Sequence, residues 1–299
     1  MKSKLYPFFV GLVFVLLSYG TYMALVKAPT EATMGDAQRI FYYHVPAATV
    51  TYTLFFLNFV ASILYLWKRS ELADAWAVTF AEVGLVFATV VMLTGPIWAH
   101  YAWGSWWAWD MRLTTFLVLW LLYFSYLALR RSSEPGSSSV LAAALAIFAF
   151  LDVPFNYLAN RLFTTIHPPP ITLYDSTMKI TLMANMIAFA AFGALIVWFR
   201  YELEMATQRM ARLHIKKATG RAMLACVLPA LFLFQTSDQG ISDELRAAHA
   251  RSHMMSAYIV AWVVYIGYLL MLARRVAALT ACAANHGIWG ALALSPAAR

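Results

Sequence analysis

Cysteine is almost missing from this chain, and charge is scarce. Two cysteines occur in 299 residues, Cys226 inside an apolar run and Cys282 near the C-terminus. The topology derived below places them at different depths or sides, which argues against a disulfide framework. No Cys-x-x-Cys-His occurs, so the chain does not itself carry haem through thioether bonds. Only 12% of residues are charged and 62% are hydrophobic, which excludes an ordinary soluble domain. No internal repeat, no nucleotide-binding site and no barrel-like alternation is found. The net charge of +8 is dispersed in short clusters between apolar runs. That is the distribution of topology signals and not of a surface that tracks nucleic acid.

What the chain has in plenty is apolar length. Windows of about 20 residues predict helices near 5–26, 45–67, 75–98, 113–129, 139–158 and 178–199, with two more near 222–236 and 254–273. The expected fold is an all-α polytopic membrane protein: a six-helix core bundle plus two further C-terminal transmembrane helices. Its expected units are a six-helix domain over 1–200, a polar, helical cytoplasmic connector over 201–221, and a two-helix extension over 222–299. The first run exceeds the short apolar core of a cleavable signal, so it reads as a retained helix. With a cytoplasmic N-terminus, fifteen of the 22 Lys and Arg fall inside and seven outside. The positive-inside bias therefore puts both termini in the cytoplasm and the loops 27–44, 99–112, 159–177 and 237–253 outside.

Three features share that outer side. "RIFYYHVPAA" carries His44, "WGSWWAWDMRLT" spans Trp103 to Thr114, and "FTTIHPPPI" carries His167. Trp67, Trp98, Trp120 and Trp198, at or near predicted helix ends, fit an interfacial aromatic belt. Trp103, Trp106 and Trp107 have i, i+3, i+4 spacing, which predicts one face of a short interfacial helix. That cluster, closed by Asp110 and Arg112, suits a planar apolar ligand better than a belt. His44 and His167 each stand before a proline-containing bend, which predicts rigid imidazoles where helix meets loop. Two such imidazoles beside an aromatic shelf could ligate a haem iron. Arg39, Arg112, Arg161 and Lys179 are cations on the depleted side, suited to anionic propionates or to local pairing such as Arg112 with Asp110. His249 and His253, at i, i+4, read as a solvated face rather than a metal site. Glu82 and Asp152 lie within spans without an assignable partner.

At these motifs the chain resembles the haem exporter protein C (CcmC) family of cytochrome c biogenesis, within the tryptophan-rich haem-handling superfamily. The likeness covers residues 1 to about 200. It implies a bacterial inner-membrane protein holding haem b at its periplasmic face, with His44 and His167 as axial ligands. Trp103, Trp106, Trp107, Trp109 and Asp110 would form the platform. The implied task is to present haem to the periplasmic chaperone CcmE, with the ABC transporter subunits CcmA and CcmB as further partners, and no chemistry of its own. "HPPP" stands where the family commonly reads His-Gln-Pro, which alters the loop at His167. The segment "SHMMSAYIVAWVVYIGYLLMLARRVAALTA" resembles the single-span partner CcmD, so 222–299 reads as a fusion in cis or as an unrelated two-helix extension. Two other functions fit less well. A haem lyase would need delivered thiols, and a b-type electron-transfer cytochrome would usually pair histidines at two depths.

Overall fold

The computed structural model describes residues 6–132, 137–167, 175–212 and 243–285, and helices carry nearly all of them, with no strand. In chain order these are α1 (Tyr6–Tyr22), α2 (Phe41–Lys68), α3 (Glu71–Trp103), α4 (Met111–Ser132), α5 (Ser137–Phe150), α6 (Asp152–Leu162), α7 (Ser176–Arg212) and α8 (Asp243–Asn285). Among the described residues these give seven membrane-length apolar helical segments, α5 and α6 together supplying one. The fold class is therefore all-α and polytopic. The predicted span at 222–236 lies outside the described residues.

α3 sits at the centre, with 72% of its apolar window buried, whereas α1 is peripheral at 22%. A two-residue turn joins α2 to α3, closed by Arg69 in the left-handed region, whose N–H donates to the Tyr65 carbonyl at 2.8 Å. So short a link forces the two helices antiparallel and adjacent. A Cβ on Gly84 would come within 2.7 Å of the Phe55 ring, so this position lets α2 and α3 approach. Phe55 in turn stacks on Tyr123 of α4 at 3.5 Å. Asp74 and Arg130 close the far end of the α3–α4 pair with two bonds of 2.6 and 2.7 Å.

The break between α5 and α6 explains Asp152. The residue stands in the first turn of α6, two positions before Pro154. A carboxylate and a proline both suit a helix start, through the macrodipole and the missing N–H respectively. Glu82 also finds partners. Its carboxylate takes Arg200 of α7 at 3.0 Å and Arg275 of α8 at 2.9 Å, and the Tyr268 hydroxyl donates to it at 3.3 Å.

Several expectations need correction. The chain enters α2 through a 3-10 turn, Asp36–Ile40, so His44 lies inside a continuous helix and not at a bend. Burial of Tyr42, Tyr43, Pro46 and Ala47 outweighs the reluctance of the residue before proline to be helical. α7 runs on past residue 199 to Arg212, so over its described part the connector is helical, as its sequence suggests. Trp120 is a core residue, 7% exposed, and its indole N–H donates to the Thr89 hydroxyl at 3.0 Å. Trp67 and Trp198 remain at the periphery.

Candidate functional site

The tryptophan segment is a loop, and its expected short helix does not form. Gly104, at φ +69°, ends α3 in the left-handed conformation, and its N–H caps the His100 carbonyl at 2.9 Å. Residues 105–110 then run without helix to the start of α4. The three indoles consequently diverge. Trp103 meets Trp98 edge-on at 5.2 Å, Trp106 stacks on His100 at 4.2 Å, and Trp107 meets Trp109 edge-on at 5.9 Å. Trp109 is the outermost, 78% exposed.

Asp110 sets the frame. Its Oδ1 accepts the Arg112 N–H at 2.9 Å, as an N-terminal cap of α4. The same oxygen accepts the Thr165 hydroxyl at 2.7 Å, and Oδ2 accepts the Ile166 N–H at 3.0 Å. The Thr165 oxygen then accepts the His167 N–H at 3.1 Å. One carboxylate thereby ties the tryptophan loop to the segment that carries the second histidine. The pairing considered for Arg112 with Asp110 is a backbone bond and not an ion pair.

His44 is held from the other side. The Thr94 hydroxyl donates to the Val90 carbonyl at 2.7 Å, so its oxygen is left to accept from His44 Nδ1 at 2.9 Å. That bond assigns the proton of a neutral ring to Nδ1 and leaves the lone pair on Nε2. A second-shell acceptor of this kind orients and enriches a metal-binding imidazole. A Cβ on Gly95 would stand 3.4 Å from His44 Cε1, so the glycine keeps that ring edge uncrowded.

His167 and Arg112 both lie within electrostatic reach of His44. Among the described residues, the Arg112 guanidinium enters no ion pair. Below them the buried Asn156 of α6 accepts the Tyr52 hydroxyl at 2.6 Å and donates to the Arg112 carbonyl at 2.7 Å, which braces α2 against α4. Trp98 approaches His167 at 6.5 Å. It therefore belongs to the site and not to a belt. An open cleft of about 630 Å³ adjoins this cluster, lined by Trp109, Asp110, Met111, Leu162, Phe163 and Ile166 among others. Its size suits a small-molecule ligand.

The other cations separate from this group. Arg39 is buried, paired with Asp36 at 3.1 Å and bonded to the Ala24 carbonyl at 2.6 Å, so its charge serves the scaffold. Arg161 and Lys179 are exposed, on the last turn of α6 and the first turn of α7. Sequence reasoning missed Thr94, Trp98 and His100, because their partners are far away in sequence or unremarkable in type. It also read His253 as solvated, whereas the residue is half-buried against His100 at 5.2 Å and Trp106 at 6.0 Å. Two imidazoles, an indole ledge and a cation form a donor set that fits a haem: axial nitrogen, stacking surface and a propionate partner.

Comparison with known proteins agrees with that chemistry. The model of a family described as "CcmC: Heme exporter protein C" matches residues 1–217. The chain is similar to Heme exporter protein C of Haemophilus influenzae, 30% identical over 221 residues, covering 72% of this chain and 90% of the relative. It is 27% identical over 229 residues to that of Bradyrhizobium diazoefficiens, covering 74% and 87%. With that of Rhodobacter capsulatus it shares 33% identity over 147 residues, which is 49% of this chain and 61% of the relative. α8 lies beyond the part that the family model matches.

Proposed function

The chain belongs to the heme exporter protein C family, and from that premise we propose that it holds haem b at the ledge formed by the tryptophan loop and presents it for cytochrome c maturation. The single observation that supports this most is the His44–Thr94 bond, which occupies Nδ1 and leaves the Nε2 lone pair for a ligand. In this reading His44 and His167 are the axial ligands. Trp98, Trp103, Trp107 and Trp109 offer stacking surface, and Arg112 meets a propionate. Asp110 acts at one remove, by fixing the His167 segment. The ledge is half open, which suits a cargo that must leave: a porphyrin sealed between spans would be stable but undeliverable.

The ledge faces the periplasm of a bacterial inner membrane, both termini lie in the cytoplasm, and the recipient is CcmE. CcmA and CcmB are the transporter partners, and residues 222–299 act as a CcmD-like segment in cis. The lie of α8 along the core supports that last point. No bond is made or broken by the chain itself. Purification with and without His44→Ala and His167→Ala tests the ligands: haem content should fall in both, and unchanged content in both would remove the assignment. Ending the chain near residue 215 tests the fusion, since unimpaired assembly with the chaperone and transporter without separate CcmD would refute it.

A further inference from the structure

The ledge is anchored at its two edges by the core. At one edge Trp103 closes α3 and meets Trp98; at the other Asp110 caps α4 and grips Thr165 and Ile166. Between them the loop has exposed positions at Gly104, Ser105 and Trp109, and the Ser105 hydroxyl donates to the Trp107 carbonyl at 2.8 Å. Its midpoint is Trp106, whose indole lies flat on His100 with 4° between the planes. A flat stack resists separation but permits sliding and rotation within the plane. An edge-on ring set across both members opposes that movement.

α8 supplies such a ring. His253 stands at 63° to His100 and at 64° to Trp106, with centroids 5.2 and 6.0 Å away, and Tyr101 lies at 6.5 Å. The helix that carries it is fixed along its length. Arg251 pairs with Asp36 at 3.9 Å, and the Tyr258 hydroxyl donates to the Arg39 carbonyl at 3.0 Å. At the far end Tyr268 and Arg275 reach Glu82. α8 is thus a strut, held along the core, that brings His253 to the middle of the loop.

We infer that His253 is a positioning residue for the ledge: its ring, borne on α8, locks the His100–Trp106 stack and so holds the centre of the tryptophan loop in place. The segment beyond the family match is then part of the site's architecture and more than an appended span. The consequence for haem rests on the function proposed above; the consequence for the loop does not.

Full-length protein in nanodiscs, prepared without haem, tests the inference by hydrogen exchange of residues 103–110. His253→Ala should speed exchange there at least tenfold while exchange in α3 and α4 stays as in the parent. His253→Phe, which keeps a ring edge without the imidazole nitrogens, should restore parental exchange. Haem dissociation, followed by transfer to an acceptor protein, should quicken several-fold in the alanine variant and return in the phenylalanine variant. Parental loop exchange in His253→Ala would overturn the inference, as would a phenylalanine variant no tighter than alanine. If the parent retains no haem, the proposed function fails while the loop measurement still decides this point.

Discussion

The carboxylate of Asp110 accepts the backbone N–H of Ile166, 56 positions later in the chain, at 3.0 Å. Through that bond and its neighbour from Thr165, two loops become one object. The 163–167 segment has little apolar contact of its own, since Phe163, Thr164 and Ile166 are all exposed. Asp110→Ala should therefore cost about 1–3 kcal/mol, as a lost cap and lost charge-assisted bonds. Asp110→Asn should do little better, because an amide nitrogen would face an N–H. Hydrogen exchange confined to 163–167 should rise in both, and a thermal scan in detergent should show the destabilisation. Unchanged exchange there would mean that the bond holds nothing.

Thr94 makes a sharper test of the ligand geometry. Thr94→Val keeps the shape but removes the acceptor of the His44 Nδ1 proton. Orienting partners of metal-binding histidines are typically worth 10–100-fold in affinity. Haem affinity should drop by about that factor, while Thr94→Ser, which keeps the hydroxyl, should stay close to the parent. Titration followed in the visible band reads this directly. Equal affinities for valine and threonine would show that Nε2 needs no help from Thr94.

A pH effect is expected ahead of α2. Glu31 organises the turn that leads to Asp36: its Oε2 accepts the Thr33 N–H at 2.8 Å, the Thr33 hydroxyl at 2.7 Å and the Met34 N–H at 2.5 Å. Partial burial pushes the carboxyl up, but the bonds from Met34, Thr33 and Ala32 outweigh it and hold the group below its ordinary value. A depressed carboxyl stabilises the fold above the unfolded-state value and loses that contribution as pH falls through the folded-state value. The parent should thus melt above Glu31→Gln near neutrality, and the two should converge between about pH 5 and pH 3. A gap that persists at the acid end would contradict the assignment.

The helices were legible because apolar length is a local property. α3 and its 33 residues announce themselves in any hydropathy window. That His44, the tryptophans and His167 share one end of the bundle was expected from charge asymmetry and the resemblance, although topology gives only a common depth. What escaped was pairwise. Trp98 and Trp120 both looked like belt residues; only the packing of α3 against its neighbours sends one to His167 and the other to Thr89. The i, i+3, i+4 spacing of Trp103, Trp106 and Trp107 suggested a helix because it ignored Gly104, whose left-handed backbone ends α3 one residue later. His253 lacked any local cue to its partners, which sit about 150 residues earlier, at the end of α3 and in the tryptophan loop.

Glu82 provides the last prediction, on what fixes α8. The carboxylate and the Arg200 side chain are 4% and 5% exposed, whereas Arg275 is 32% exposed. Removing one member of a buried pair leaves the other charge uncompensated, at about 3–5 kcal/mol. Arg200 keeps its bond to Glu204 at 2.9 Å, so Glu82→Ala should fall at or below the lower end of that range. Arg275→Ala leaves Arg200 in place on a partly wet partner and should cost nearer about 1 kcal/mol. The two variants also separate two kinds of damage. Loss of Glu82 removes the far-end tie of α7 and α8 together, so with a protease site inserted between Arg212 and Asp243, cleavage should be followed by faster release of the C-terminal piece than in the parent. Loss of Arg275 alone should leave that piece bound through Tyr258, Tyr268 and Arg251. If the piece stays bound in Glu82→Ala as firmly as in the parent, the far-end cluster is not what seats α8, and the aromatic contacts of Tyr43 with Tyr258 and of Phe87 with Tyr265 must carry it.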